Sequence, residues 1–315
     1  MPAMKKLFIT IFFTFIFIIG CKTQNDSINT AILIQRPERM FWEIKGPKNS
    51  IYIQGTIHVG TDEMYPLDKN VLKSFKNSKL IYAEISSKDI TKAQSKILSL
   101  MFSSIEKDKT KRIEANITKT EKKVLIDTLG KTAYTQLNKF KPWAMNLGIM
   151  EVTNQKLGVD PQKGIDMFLY QLAKKQKKEV LGLDELETQL NILKFGTNKE
   201  QIYMLKETIA SIKNQSYQKE FEQLIIAYLE DNRSKLEVLL NSSIEYESEE
   251  PEIIDLQKKY YNALILERNT RWTTTISELL NQHNDVFIFA GSAHFLGEDS
   301  VFNIMQKNGS LELKK

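Results

Sequence analysis

The chain has 315 residues, of which 42% are hydrophobic and 26% charged, and this is the composition of a globular protein with enough length for a sizeable core. The formal charge is only +5 and the lysines are interspersed with acidic residues, which excludes the basic surface of a nucleic-acid-binding protein. The single cysteine, Cys21, excludes a disulfide framework and a cysteine-based metal site.

The N-terminus has the pattern of a secretory signal. Lys5 and Lys6 precede an apolar stretch over residues 7–19, which is shorter than the roughly 20 residues that a membrane-spanning helix needs. The stretch ends in Ile18-Ile19-Gly20-Cys21, which resembles the lipobox of bacterial lipoproteins, where the cysteine is lipidated and begins the mature protein. The alternative is an ordinary signal peptide followed by an incidental cysteine.

We therefore predict a lipoprotein signal peptide over residues 1–20, lipidation of Cys21, and a flexible tether over residues 21–39, whose first part is polar. The predicted location is the cell envelope, where the lipid would anchor the protein to a membrane outside the cytoplasm. The predicted partners are this membrane and a peptide or small-molecule substrate, without nucleic acid.

Segments that favour β-structure cluster near the two ends of the chain. The predicted strands cover residues 41–45, 50–54, 79–85, 285–290 and 311–313. Between the two clusters the apolar spacing is helical, apart from one predicted strand over 179–183, and residues 253–282 predict one long or kinked helix. We therefore predict one mixed α/β domain over residues 40–315, with a central sheet built from both ends and a helical insertion at about 86–245.

Two of the three histidines occur in the same local frame, Gly-x-x-His. His58 lies three residues after Gly55, and His294 lies three residues after Gly291, in each case just beyond an apolar strand. His283 precedes its strand and is predicted to be an exposed turn residue. The repeated frame marks the pair as candidates for a shared function.

His58, Glu84 and His294 all lie at or just beyond the ends of predicted strands. If these strands are parallel, the three side chains converge at one edge of the sheet, where α/β proteins bind their ligands. Two imidazoles and a carboxylate are a recurring ligand set for a divalent metal, which acidifies a bound water. The alternatives are a surface or hydrogen-bonding role for each histidine, and for Glu84 a solvated position or an ion pair with an arginine.

Three further residues have both a structural and a functional interpretation. Arg268 and Arg271 are three residues apart and share a helix face, where they are either solvated or hold an anionic group or a developing oxyanion. Asp166 begins a predicted helix, where it either interacts with the helix dipole or supports a histidine.

Several short motifs together resemble the TraB/GumN/PrgY family, which is related to the Tiki metalloproteases. The resemblance covers roughly residues 40–300, with the motifs in the order typical of the family. These motifs are GTIHVG with Tyr65-Pro66-Leu67, YAE at Glu84, KPW at Lys141–Trp143, GIDMFL at Gly164–Leu169, GLDELET at Gly182–Thr188, ERNTRW at Glu267–Trp272, and GSAHFLG.

The resemblance implies a fold similar to erythromycin-esterase-like and ChaN-like proteins. It also implies metal-dependent hydrolysis of peptides with manganese or cobalt, zinc being an alternative. His58 and His294 match the motif histidines, Glu84 the motif glutamate and Arg268 the motif arginine, so the metal ligands would be His58, His294 and Glu84, and the catalytic residues Glu84 and Arg268. Glu187 matches the acid of the LET element, although Asp184 and Glu185 precede it.

These observations predict a membrane-anchored, metal-dependent hydrolase, most simply a peptidase. The alternative is a non-catalytic lipoprotein that sequesters a peptide or haem, because some bacterial members of the family are linked to blocking peptide pheromones. A third alternative is metal-free ester hydrolysis with a histidine base.

Overall fold

We describe residues 30–242 and 250–313 of a computed structural model of the chain. Its centre is a seven-stranded mixed sheet with the order β5-β4-β6-β3-β2-β1-β7. The strands are β1 (Ala31–Gln35), β2 (Phe41–Lys45), β3 (Ser50–Thr56), β4 (Leu80–Ala83), β5 (Val180–Gly182), β6 (Val286–Gly291) and β7 (Leu311–Leu313).

The direction of the strands divides the sheet into two parts. β3, β6, β4 and β5 are parallel, so that their carboxyl ends lie at one edge of the sheet. β2 is antiparallel to its neighbours β1 and β3, and β7 pairs in parallel with β1. The two ends of the chain therefore contribute neighbouring strands, since the C-terminal β6 lies between the N-terminal strands β3 and β4.

β6 is the most deeply buried strand of the parallel part. Its residues Val286–Ala290 are at most 1% exposed, as expected for a strand covered by protein on both faces. Phe287 packs edge-on against Phe75 of a helix on one face (5.1 Å between ring centroids), and Phe289 packs edge-on against Tyr170 (4.9 Å). This packing fixes the strand from which the loop with His294 emerges.

Helices cover the sheet and form most of the rest of the chain. They are α1 (Lys69–Asn77), α2 (Ser87–Ser103), α3 (Ile113–Asn116), α4 (Lys119–Leu129), α5 (Lys131–Leu137), α6 (Pro142–Lys156), α7 (Ile165–Lys175), α8 (Leu186–Leu193), α9 (Asn198–Lys213), α10 (Ser216–Leu229), α11 (Arg233–Ser242), α12 (Pro251–Tyr261), α13 (Glu267–Leu279) and α14 (Val301–Lys307). A π-helical segment, Asn262–Leu266, joins α12 to α13 without a break.

The helical insertion has an apolar core of its own, separate from the core around the sheet. Helices α3 to α6 and α9 contribute it, and its buried members are Ile113, Leu125, Tyr134, Met145, Ile149, Ile202, Leu205 and Ile209. The capping box predicted by the Thr-x-x-Glu pattern at the start of α4 is present, with Thr118 and Glu121 each accepting a hydrogen bond from the other's backbone N–H.

The predicted fold class, a mixed α/β domain with a helical insertion, is confirmed. The long helix predicted over 253–282 is present as α12, the π-helical segment and α13. One boundary was wrong, because the segment 21–39 predicted as a tether includes β1, which is a strand of the sheet. Its side chains Ala31 and Leu33 are buried in the core. The predicted signal peptide, residues 1–20, and Cys21 lie outside the residues that the structure describes. Between residues 30 and 242 and between 250 and 313, we find no helix with the length and hydrophobicity of a membrane span.

Candidate functional site

Three parallel neighbours, β3, β6 and β4, bring His58, His294 and Glu84 to one edge of the sheet. The predicted parallel arrangement is therefore present, and the side chains line or adjoin an open cleft of about 220 Å³. The cleft is lined by Thr56, His58, Ala83, Glu84, Ile85, Ile90, Asp166, Tyr170, Gln189, Phe289 and Ala290.

Gly291, at the end of β6, lies between the three side chains. A Cβ atom added to it would lie 3.2 Å from Glu84 Oε1, 3.8 Å from His58 Nε2 and 3.8 Å from His294 Cδ2. The backbone N–H of Gly291 also donates to Glu84 Oε1 over 2.8 Å. A Cβ atom here would be unusually close to Glu84 Oε1, and a longer side chain would enter the space that the two imidazoles and the carboxylate share.

The loop after β3 is tied to the start of α7, and this places His58 beside Asp166. Gly60 and Asp160 exchange backbone hydrogen bonds of 3.0 Å, and Ile165 N donates to Ile57 O over 3.1 Å. His58 Nδ1 then lies 3.1 Å from Asp166 Oδ2. Since a carboxylate accepts hydrogen bonds, Nδ1 carries the proton and Nε2 keeps a free lone pair when the ring is neutral. Asp166 thus contacts His58, in agreement with the second of its two predicted roles, the support of a histidine.

His294 is held in a fixed tautomer by Asn269 of α13. Asn269 Nδ2 donates to the carbonyl oxygen of Asp299 over 2.6 Å, so that its Oδ1 faces His294 Nδ1, 2.6 Å away. His294 Nδ1 must therefore donate, and Nε2 again keeps the lone pair. The ring is only 4% exposed and packs against Trp272, with 4.3 Å between ring centroids.

The two histidines have opposite charge preferences. Desolvation lowers the pKa of His58, but the charges of Asp166 and Glu84 outweigh it and raise that pKa to about 9. Burial, together with the nearby charge of Arg268, lowers the pKa of His294 to about 3. At neutral pH and without a bound cation, His58 is therefore charged and His294 is neutral.

Glu84 is held as a carboxylate by groups from three elements. Burial alone would raise the pKa of Glu84, but Arg268 and the two histidines hold it well below its usual range. Arg268 Nη2 donates to Glu84 Oε2 over 2.5 Å, and Gln189 Nε2 donates to the same oxygen over 3.0 Å. Oε2 is therefore occupied, whereas Oε1 accepts, among the described residues, only from Gly291 and faces His58 Nε2 at 3.7 Å.

Arg268 is buried, and each of its three guanidinium nitrogens donates a hydrogen bond to the protein, which makes it a positioning residue. Its Nε donates to Asp184 Oδ2 over 2.7 Å, and its Nη1 donates over 3.1 Å to the carbonyl oxygen of Leu264 in the π-helical segment. The guanidinium also lies 5.0 Å from the ring centroid of Trp272. The predicted role of Arg268 was direct contact with substrate or an oxyanion. These contacts instead favour a role in which Arg268 orients Glu84.

Arg271 and Glu187 lie outside this buried group. Arg271 Nη2 donates to Asp184 Oδ1 over 3.1 Å while its side chain stays 49% exposed, so one arginine of the predicted pair is solvated and the other is not. Glu187 is 63% exposed, and Lys194 Nζ lies 3.9 Å from it. The acid of the GLDELET segment that contacts the site is Asp184.

Sequence reasoning named Asp184 only as one of the acids that precede Glu187, and it did not identify Gln189 or Asn269. Asp184 lies in the GLDELET motif, and Asn269 lies beside Arg268 in ERNTRW. Their position inside these motifs is the sequence feature that could have identified them. Their partners come from segments remote in sequence, which periodicity does not reveal.

The donor chemistry of the group fits a divalent cation. His294 Nε2 has a lone pair in the neutral ring, His58 Nε2 has one once the ring loses its proton, Glu84 Oε1 is a partly free carboxylate oxygen, and all three groups surround Gly291. The 3.7 Å between His58 Nε2 and Glu84 Oε1 is close to the spacing of about 3.4 Å for two ligands about 2.1 Å from one tetrahedral ion. Within residues 30–242 and 250–313, however, no three His, Cys, Asp or Glu side chains already form a coordinating set.

Comparison with known proteins identifies the family. The profile of the TraB/PrgY/gumN family matches residues 40–311. The chain belongs to this family. An uncharacterized protein of Treponema pallidum (strain Nichols) is 32% identical over 296 residues, which cover 93% of this chain and 88% of that protein. The resemblance inferred from the motifs is thereby confirmed.

Two of the family relatives are named as metalloproteases. The Metalloprotease TIKI homolog of Nematostella vectensis is 38% identical over 72 residues, covering 22% of this chain and 15% of that protein. Metalloprotease TIKI2 of Xenopus tropicalis is 26% identical over 162 residues, covering 46% and 31%. This chain therefore spans a minor part of the Tiki proteins. No solved structure matches it, so the likeness to erythromycin-esterase-like and ChaN-like proteins stays a prediction.

The contrast between the histidines gives a testable titration. His58 stabilises the folded state below pH 6.5, and this contribution is lost as the pH rises through about 9. His294 resists protonation, so stability falls as the pH drops from 6.5 towards 3. NMR titration of the imidazole carbons in chelator should show the two widely separated pKa values, and Asp166→Asn should lower only that of His58. Titration of both near pH 6.5 would contradict the structure.

The buried position of Arg268 gives a second prediction. Arg268→Gln leaves the carboxylates of Glu84 and Asp184 without their main cation and should reduce the free energy of unfolding by about 3–5 kcal/mol. Arg271→Gln on the same helix is the matched control and should cost less than about 1 kcal/mol, since Arg271 is half exposed. Urea unfolding monitored by circular dichroism measures both, and equal small losses would refute the central place of Arg268.

Proposed function

We propose that this protein is a membrane-anchored, metal-dependent hydrolase that acts on peptides. The observation that carries the proposal is the group around Gly291, where two histidines each have Nδ1 bound to an acceptor and Nε2 free beside one carboxylate oxygen. Fixing Nδ1 in this way is typical of metal-binding histidines, whose other nitrogen is the ligand. Similarity to proteins named as Tiki metalloproteases supports the same class of activity.

His58, His294 and Glu84 would hold the ion, which when bound supplies a Lewis acid and lowers the pKa of a coordinated water. Manganese or cobalt is the metal that the resemblance implies, and zinc is the alternative.

The remaining residues orient and shield these groups. Arg268 and Gln189 occupy Glu84 Oε2 and so leave Oε1 directed towards His58. Asp166 holds the proton of His58 on Nδ1. Tyr170 donates to the carbonyl oxygen of Ile85 over 2.6 Å and, with Phe289, lines the cleft. Arg271 is half exposed and uses Nη2 to pair with Asp184, so its remaining N–H groups would bind an anionic substrate group.

The test of this proposal is the metal content and the peptide turnover of the purified chain. Elemental analysis after equilibration with manganese, cobalt or zinc should find about one ion per chain, and a peptide library should be cleaved until chelator is added. His58→Ala and His294→Ala should abolish both properties, and Asn269→Ala should weaken metal binding by roughly 10–100-fold.

The matched control is His283→Ala, because His283 is exposed in the turn before β6 and should be neutral in both measurements. Retention of metal and activity by the double histidine variant would overturn the proposal. Tight binding of a peptide or of haem in chelator, without turnover, would instead favour a sequestering lipoprotein.

Anchoring through Cys21 is the second part of the proposal and has its own test. Its support is the lipobox-like sequence before Cys21 and the absence of any other cysteine in the chain. Cells fed with radiolabelled palmitate should label the wild-type protein and not Cys21→Ser, which should also leave the membrane fraction. Equal labelling of the two proteins, or none of either, would refute lipidation at this residue.

A further inference from the structure

Helix α2 differs from the other long helices in that it buries none of its 17 residues. It begins at Ser87, directly after the turn that follows Glu84, and its Ile90 lines the cleft. Only one side of the helix rests on the protein, through partly buried residues. The helix therefore presents a broad surface to solvent.

Part of this surface is apolar. Leu98 is 49% exposed, Phe102 is 68% exposed, and Ile105, just beyond the end of the helix, is 46% exposed. Leu98 and Phe102 are four residues apart and lie on one face of α2. Phe102 is the most exposed large hydrophobic side chain in the part of the chain that the structure describes. Neighbouring exposed hydrophobic residues of this kind mark interaction surfaces.

The stretch of chain that includes α2 and the residues just after it has an excess of basic residues. Between Ser87 and Arg112 there are seven basic and three acidic residues, a net charge of +4 in a chain whose total is +5. Lys88, Lys92 and Lys96 recur every fourth residue and are exposed on the face beside Leu98 and Phe102. Lys88 pairs with Glu179 over 3.3 Å, but within residues 30–242 and 250–313 neither Lys92 nor Lys96 forms an ion pair.

We propose that α2 docks on the surface of an anionic phospholipid membrane, with Leu98, Phe102 and Ile105 in the interface and Lys92 and Lys96 at the lipid headgroups. An exposed apolar stripe beside a row of lysines is the combination that interfacial helices use, because the apolar side chains leave water while the ammonium groups meet phosphate. Lys92 and Lys96 beside the apolar stripe favour a surface that is both apolar and anionic, as this bilayer is. An acidic protein surface would also pair with these lysines, but it would give no quenching by brominated lipid in the test below.

Docking of α2 would also set the orientation of the cleft. Since α2 starts beside Glu84 and carries Ile90 into the cleft wall, its contact with lipid would hold the cleft close to the bilayer. The protein would then meet substrates at the membrane surface. This inference concerns the surface of α2 and does not require hydrolysis or a bound metal.

The test uses tryptophan as a reporter of contact with lipid. The full chain is reconstituted with vesicles of brominated phosphatidylcholine, with or without phosphatidylglycerol, as Phe102→Trp or as the matched control Val238→Trp. Val238 is 65% exposed on α11. The native Trp42, Trp143 and Trp272 are at most 4% exposed and should not be quenched.

We expect bromine to quench the fluorescence of Phe102→Trp at least about twofold more than that of Val238→Trp, and more strongly with phosphatidylglycerol. Adding Lys92→Gln and Lys96→Gln should remove the effect of phosphatidylglycerol. Equal quenching at the two positions, or quenching that is the same with and without phosphatidylglycerol, would overturn the proposal. Neither result depends on peptide turnover, so failure here is distinct from failure of the proposed function.

Discussion

The buried contact of Arg268 with two carboxylates is the interaction on which the arrangement of the site depends. One guanidinium joins Glu84 at the end of β4, Asp184 after β5 and the carbonyl oxygen of Leu264 in the preceding helical turn. Removing two carboxylates and an arginine from water is costly, and only mutual pairing offsets that cost. The sheet, the segment after β5 and α13 are thus held in one relative position, and the Glu84 oxygen that Arg268 does not contact, Oε1, faces His58.

The two histidines show how one sheet edge creates two different environments from the same local sequence frame. His58 lies on an open loop against the acid of α7, and His294 lies in a buried turn between Trp272 and an amide of α13. A cation shared by both would have to displace the proton from His58, whereas His294 is already neutral. The metal affinity of such a site should therefore depend on pH mainly through His58.

Much of the framework could be predicted from sequence, because apolar runs that stop at a glycine locate the ends of parallel strands. Gly55 and Gly291 revealed the two histidines in this way, and the run KLIYAEI located Glu84. Gln189 and Asn269 could not be found, and Asp184 could not be distinguished from its neighbouring acids, since their importance comes from contacts across 25 or more positions in the chain. β1 was missed because its five residues follow a polar segment, and only pairing with β2 and β7 shows that they belong to the sheet.

In the π-helical segment before α13 the backbone hydrogen bonds join residues five apart, compared with four apart in an α-helix, so the segment holds one extra residue. Deleting a single residue there would turn α12 by about 100° relative to α13, and the carbonyl oxygen that now accepts from Arg268 would belong to another position. The number of residues between α12 and Arg268 is thus fixed more tightly than their identity. Substitutions can accumulate along this stretch of the chain, but an insertion or deletion would change which side chains reach the cleft.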